Sequence, residues 1–312
     1  MARKPRLLYP GALYHAILRG NNGQTIFVDH KDRTRFCLLL QEGIERFGHR
    51  IHAFCLMTNH VHLAIQMGGI PLSRIMQNLS FRYTRWANWR QKRSGHLFQG
   101  RYKAVLVDAD SYLEELTRYI HLNPVRAGIV KEPEDYPWSG HRAYLGLEMI
   151  PWLTTDWVLS QFSKRLTLAR RAYRRFVHEG KGGHHQEEYH RGLGRDSRIL
   201  GDDEFMDRML GREPMRLRPK ASLDRIMEEV CRHYHFEEKD FLVPGKDREL
   251  SEARWMAGWL VMELGVGTLS ELGRRTGRDV TTLSSGVKRL QIRSQTDFKS
   301  AGVMKSLLKA VS

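Results

Sequence analysis

Cysteine is scarce in this chain: Cys37, Cys55 and Cys231 are the only three in 312 residues. They lie far apart and form no CxxC pair, so the spacing offers neither a zinc knuckle nor a disulfide framework. Long apolar runs are also missing. The most apolar segment, 255–266, is too short to span a bilayer and contains Glu263. The basic start, Ala2–Arg6, has no apolar run of secretory length behind it, so no secretory signal is expected. Acidic residues are in the minority: 35 Asp and Glu stand against 51 Lys and Arg, a formal charge of +16. The isoelectric point is near 10.0. What is present is a hydrophobic share of 41%, enough for ordinary packed cores and against wholesale disorder. The length allows two domains. Reduced thiols point to a cytoplasmic protein without a membrane partner. The basic surplus recurs along the whole chain and suggests a polyanionic partner, most commonly nucleic acid.

Periodicity divides the chain. Leu13–Arg19 alternates as a strand and Gly20-Asn-Asn-Gly23 ends it. Residues 32–47 read as a helix, with Phe36, Leu40, Ile44 and Phe47 on one face. Arg50–Leu56 and His60–Gln66 read as two strands around a short turn. Residues 71–91 read as a long helix, 102–107 as a strand, and 111–122 as a helix that stops before Pro124. This order predicts a ferredoxin-like α+β domain. One antiparallel sheet carries its helices on one face, with the last helix free to cover or cross it. A Pro-, Trp- and Tyr-rich extension completes this domain at 1–162. Residues 163–219 read as a basic helical linker region. Within it, Gly180–His190 is a mobile polar stretch whose three histidines lack HExxH or HxxEH spacing. From 220 to 295 the pattern is all-α, with helices expected at 223–234, 251–264, 269–276 and 280–290. Thr268 or Ser270 can cap the third and Gly277 can end it, which is a helix-turn-helix signal. Residues 296–312 read as a tail.

The stretch Cys55-Leu-Met-Thr-Asn-His60-Val-His62 carries the chemistry. On a strand, positions i and i+2 share a face, so His60 and His62 present two imidazoles together, half of a divalent-metal site. Alone the pair is weak evidence. About 0.7 such pairs are expected by chance from 15 histidines in 312 residues, and His233-Tyr-His235 is a second, read as structural. Two hydrogen-bonded histidines at a core edge account for His60 and His62 equally well until a third ligand and a nucleophile are found. Tyr119 and Asn123 supply candidates. They lie one helical turn apart, flanking the core stripe Leu113, Leu116 and Ile120. Tyr83 is a rival nucleophile, but it sits inside the stripe Ile75, Leu79, Trp86 and reads as core. Arg82, Arg85, Trp86, Trp89, Arg90, Lys92 and Arg93 fit either a nucleic-acid clamp or a solvated basic face with two packed tryptophans.

Together these residues resemble the single-tyrosine HUH transposases, and more closely the REP-associated tyrosine transposases of bacteria. Further stretches carry the likeness over about residues 5–150: Pro10–His15, Arg19-Gly-Asn21, Gly95–Lys103 and Tyr119–Gly128. The resemblance implies Tyr119 as nucleophile and His60, His62 and Asn123 as ligands of Mg²⁺ or Mn²⁺. It implies Arg19, Asn21, Arg101 and Lys103 as DNA contacts. The reaction would cleave and rejoin single-stranded DNA at hairpin sites through a 5′-phosphotyrosine. Two imidazoles and one amide are softer than an all-oxygen site, so Mn²⁺ should serve at least as well as Mg²⁺. Lys103 and His121 are candidate bases for the phenol. The C-terminal helices resemble the DNA-binding domain of the bacterial replication initiator through Ser251–Ala257, Leu269–Gly273 and Gly277–Leu283. That likeness puts Arg254 in a minor groove and Asp279, Thr281 and Thr282 at base edges of duplex DNA, with Arg278 and Lys288 as further contacts. Val280 departs from it, because that family usually has histidine there. Three alternatives stand beside this reading. A DNA-binding regulator with a silent first domain is weakened by retention of all four proposed site residues. An RNA-binding module is weakened by the missing RNP1 pattern. A replication initiator or relaxase fits less well with the histidine pair so far ahead of the tyrosine. Single-tyrosine relatives include dimers and monomers, so a homodimer stays open.

Overall fold

The computed structural model describes residues 6–182, 187–193, 195–213, 222–243 and 247–311. The chain divides into two compact units, residues 1–216 and 217–312.

The first unit begins with strand β1 (Leu13–Arg19), helix α1 (His30–Phe47), strands β2 (Arg50–Leu56) and β3 (His60–Gln66), helix α2 (Leu72–Arg90), strand β4 (Lys103–Val107) and helix α3 (Ala109–His121). The strands lie in the order β2-β3-β1-β4, every neighbour antiparallel. This is the ferredoxin-like order expected from the element sequence. A two-residue strand, β5 (Ile199–Leu200), adds to the free edge of β4 in parallel, so the sheet is mixed and not purely antiparallel. Leu13 to Leu18 are all buried, since both faces of the sheet are covered. Helices α1 and α2 pack on one face, where Leu39, Leu40, Leu63, Ile65, Ile75 and Leu79 line one small void. Helix α3 packs against β2 and β3 on the other. Helix α1 starts at His30, two residues before the expected bound, because the Asp29 carboxylate accepts from the Asp32 N–H and caps it.

Three short helices follow α3: α4 (Asn123–Arg126), α5 (His141–Leu145) and α6 (Asp156–Phe162). The Tyr136 and Tyr144 hydroxyls tie this stretch to β2, donating to the carbonyls of Leu56 and His52 at 2.7 Å each. Helices α7 (Leu166–Glu179), α8 (Glu188–Arg191) and α9 (Asp203–Leu210) come next. Residues from the stretch expected as a linker, among them Tyr173, Val177, Tyr189, Phe205 and Met209, are buried in the core of the first unit. His184 and His185 of the expected mobile stretch lie outside the described residues.

The second unit is helical: α10 (Leu223–Tyr234), α11 (Arg248–Leu264), α12 (Leu269–Thr276), α13 (Val280–Arg293) and α14 (Phe298–Val311). Helix α11 is central, with Ala253, Met256, Ala257, Leu260 and Val261 buried. A Cβ on Gly286 would lie 2.0 Å from the Trp255 ring, so the glycine is what lets α13 approach α11 this closely. Thr268 and Glu271 form a capping box at the start of α12, and Gly277 ends it in the left-handed region at φ 62°. Residues 296–312, expected as a tail, carry α14, whose Leu307 and Val311 are buried in the helical core.

Candidate active site

Register places the site. On the paired strands Ile17 lies opposite His62, His15 opposite Ala64 and Arg19 opposite His60, while β4 sets Lys103 opposite Ile17. Alternation therefore puts His15, Arg19, His60, His62 and Lys103 on one face. His15 and His62 are diagonal neighbours whose rings stack, with centroids 5.1 Å apart. Tyr119 comes from α3 and meets this group edge-on, its ring 6.1 Å from His62 and 5.9 Å from His15.

The hydrogen bonds decide which nitrogen of each ligand candidate carries a proton. His60 Nδ1 lies 2.7 Å from Asn59 Oδ1, and Asn59 Nδ2 donates to the Gly23 carbonyl at 3.2 Å. The amide oxygen can only accept, so His60 Nδ1 donates and Nε2 keeps its lone pair. Burial pulls His60 down to about 4, and Arg19 beside it acts in the same direction. Burial also drives His62 well below its ordinary value, with His15 and His60 adding to the effect. Both rings are neutral at pH 7, the form that binds metal. Asn123 opens α4, and its Nδ2 donates to the carbonyls of Tyr119 at 3.0 Å and Ile120 at 3.2 Å. Two neutral imidazoles with the amide oxygen of Asn123 could hold a divalent cation, and such a set is softer than the all-oxygen shell that Mg²⁺ prefers.

Tyr119 is only 2% exposed. Burial pushes its phenol up to about 12, against a smaller opposite pull from Arg126, whose guanidinium lies 4.1 Å from the ring centre. The cover is α8: Tyr189 stacks on Tyr119 with centroids 4.6 Å apart, and His190 Nε2 sits 2.5 Å from the Tyr119 hydroxyl. A phenol with so high a pKa keeps its proton at pH 7, and its hydroxyl shares a hydrogen bond with His190 Nε2. This corrects the reading of residues 187–190 as part of a mobile polar stretch. His15, His190 and Arg126 were not singled out by the sequence. His15 and Arg126 lay inside stretches quoted for the family likeness, and His190 carried no spacing signal at all.

Other expectations fall differently. His121 is fully buried, its Nδ1 is 2.6 Å from the Tyr173 hydroxyl, and its ring packs on His141 and Tyr144. It is therefore no base for Tyr119. Tyr83 is core, as read, donating to the Ile26 carbonyl at 2.7 Å. On α2, Arg90 pairs with Asp29 and Asp32, Arg82 pairs with Glu42, and Trp89 is exposed. The basic face is partly internal ion pairing. Glu132, Glu134 and His178 cluster elsewhere, and Lys181 and Arg174 neutralise the two carboxylates. Arg19, Asn21, Arg101 and Lys103 are exposed.

In the second unit, Asp279, Thr281, Thr282 and Lys288 are exposed and Arg278 is half-buried. Asp279 caps α13, accepting from the Thr282 N–H at 2.8 Å and its hydroxyl at 2.5 Å. Arg254 departs from expectation. It is buried, and its guanidinium donates to the carbonyls of Phe241 at 2.8 Å and Val243 at 3.0 Å. From there it ties the turn at 238–242 to α11, where open carbonyls need donors, and it is not on a surface that a minor groove can reach.

Comparison with known proteins agrees with this division. Residues 9–123 match the family model described as "Transposase IS200 like". The first unit carries an IS200-like transposase domain. Residues 223–290 match "Bacterial dnaA protein helix-turn-helix", so the second unit carries a DnaA-type helix-turn-helix domain. Chromosomal replication initiator protein DnaA of Cereibacter sphaeroides is 32% identical over 95 residues, covering 29% of this chain and 21% of that protein. The same protein from Jannaschia sp. is 30% identical over 83 residues, covering 26% of this chain and 18% of the relative. The chain thus spans about a fifth of the length of these curated relatives. A solved structure described as "Structure of the REP associates tyrosine transposase bound to a REP hairpin" aligns at 18% identity and a TM-score of 0.42, over 49% of this chain and 92% of that one. Among the described residues no helix is long and apolar enough to cross a membrane.

Proposed function

We propose that the transposase domain cleaves and rejoins single-stranded DNA at hairpin sites through a 5′-phosphotyrosine on Tyr119, while the helix-turn-helix domain holds duplex DNA. One observation supports this reading: the Tyr119 ring lies edge-on to His62, 6.1 Å away, His60 and His62 share one sheet face with centroids 4.9 Å apart, and both take the tautomer that leaves Nε2 open. Mg²⁺ or Mn²⁺ held by His60, His62 and Asn123 would supply Lewis-acid relief of charge on a non-bridging phosphate oxygen. The chain's own groups do the rest. Arg19 and Lys103, exposed on the same face, hold the DNA backbone. His190 Nε2 is in position to take the phenolic proton. The Tyr119 oxygen then attacks phosphorus in line, the phosphorus–oxygen bond to the 3′ side breaks, and the released 3′-oxygen takes up a proton. The new ester conserves the energy of the broken bond, so a second 3′-hydroxyl can displace Tyr119 without ATP.

A second reading, a sequence-specific DNA-binding regulator with a silent transposase domain, draws on the burial of Tyr119. Cleavage of labelled hairpin oligonucleotides separates the two. On the first reading, Mn²⁺ supports nicking of a single-stranded hairpin flank, EDTA abolishes it, and His60→Ala abolishes it while duplex binding persists. Tight duplex binding with no nicking on any hairpin, at any Mn²⁺ concentration, would establish the regulator instead.

A further inference from the structure

His15 lies outside every role assigned so far. It is fully buried on β1, and among the described residues no carboxylate is hydrogen-bonded to it. Its Nδ1 is 2.7 Å from the main-chain oxygen of Tyr189, and its Nε2 is 2.9 Å from His62 Nδ1. A carbonyl oxygen has no proton to give, so Nδ1 of His15 must donate. A neutral imidazole holds one N–H, which leaves Nε2 of His15 as an acceptor. His62 Nδ1 must then donate, and the His62 lone pair falls on Nε2. The proton positions run in one direction from the Tyr189 carbonyl to the far side of His62. Reversing any link sets a bare nitrogen against a carbonyl oxygen or leaves a buried polar group unpaired, both of which are costly.

We propose that His15 is the positioning residue that fixes His62 as its Nδ1–H tautomer and so presents Nε2 as the metal-facing donor. This rests on the metal-site reading above and adds to it. His60 reaches the same tautomer by a separate route, through Asn59 and Gly23. The two ligand candidates are thus set independently, one from the turn before β3 and one through β1 from the carbonyl of Tyr189 on α8. Partners of this kind orient a metal-binding imidazole, and removing one typically costs about 10–100-fold in metal affinity.

The test uses the full-length protein. With ¹⁵N-labelled histidine and no metal, long-range ¹H–¹⁵N spectra at pH 7.5 should show His62 protonated at Nδ1 and bare at Nε2. Titration calorimetry with Mn²⁺ alone should show His15→Leu binding about 10–100-fold more weakly than wild type. His15→Gln should bind within a few-fold of wild type, because its amide can accept from His62 and donate to Tyr189. If His62 carries its proton on Nε2, or a folded His15→Leu binds Mn²⁺ like wild type, the relay is wrong. Should His15→Leu not fold, the spectrum and the glutamine variant still decide. Wild type failing to bind Mn²⁺ would overturn the metal-site reading, and the presentation of a metal donor with it.

Discussion

Several histidines of the first unit are kept neutral by burial, and that has a cost on acidification. Burial lowers His15 to about 3 and His49, His60 and His141 to about 4. Below the unfolded value of about 6.5 the unfolded chain binds more protons than the folded one. The stabilisation is therefore complete above 6.5 and is lost as pH falls toward 4. Urea unfolding of the first unit should show a lower midpoint at pH 5 than at pH 7.5 with the same slope; an unchanged midpoint would contradict neutral buried rings. His190 makes a separate prediction. His190→Ala should lower single-turnover cleavage by about 10²–10⁴-fold while Mn²⁺ affinity stays near wild type, since it faces the phenol. Loss of folding or of metal binding would assign it a structural task. At this scale the sequence was half legible. His60, His62 and Tyr119 stand out through spacing and family likeness. His15 and His190 reach the site only through β-register and a chain reversal dozens of residues long, which no local pattern reports.

Among the elements, strands were the most legible. The expected bounds of β1, β2 and β3 match those observed, because each is an apolar run closed by turn residues. β5 was missed, being two residues long and too short to show alternation. The helix-turn-helix pair was legible from its caps: Thr268 begins α12 and Gly277 ends it. Replacing Thr268 by Ala should cost the second unit ~1 kcal/mol by loss of the capping bond. Gly286→Ala should cost more, about 1–3 kcal/mol, because its methyl group must displace the Trp255 ring or part α13 from α11. Thermal unfolding of the second unit checks both, and a neutral Gly286→Ala would mean that the crossing has slack. Arg254 was misread for a physical reason. A guanidinium in a basic sequence reads as a surface charge, yet its planar donors also suit a cluster of turn carbonyls. Arg254→Ala should therefore lower stability of the second unit, whereas Lys288→Ala should leave stability alone and reduce the salt slope of duplex binding by about 1.

The whole molecule joins an IS200-like transposase domain to a DnaA-type helix-turn-helix domain, under a formal charge of +16. With both domains binding DNA as proposed, holding them on one chain would raise the local concentration of each domain's target without any new contact. The two-domain plan could be read from the chain's periodicity and motifs, whereas exposed side chains such as Arg19 and Lys103 follow no periodicity and name no DNA target. Everything proposed for the first domain depends on one covalent bond. The measurement is a denaturing gel of full-length protein incubated with Mn²⁺ and a labelled single-stranded hairpin oligonucleotide taken from the palindromes beside its gene, followed by mass spectrometry of the tryptic digest. Expected is a shifted, protease-sensitive band whose nucleotide mass maps to Tyr119 and which vanishes in Tyr119→Phe. A band that persists in Tyr119→Phe, or cleaved DNA with no protein attached, would contradict the tyrosine mechanism.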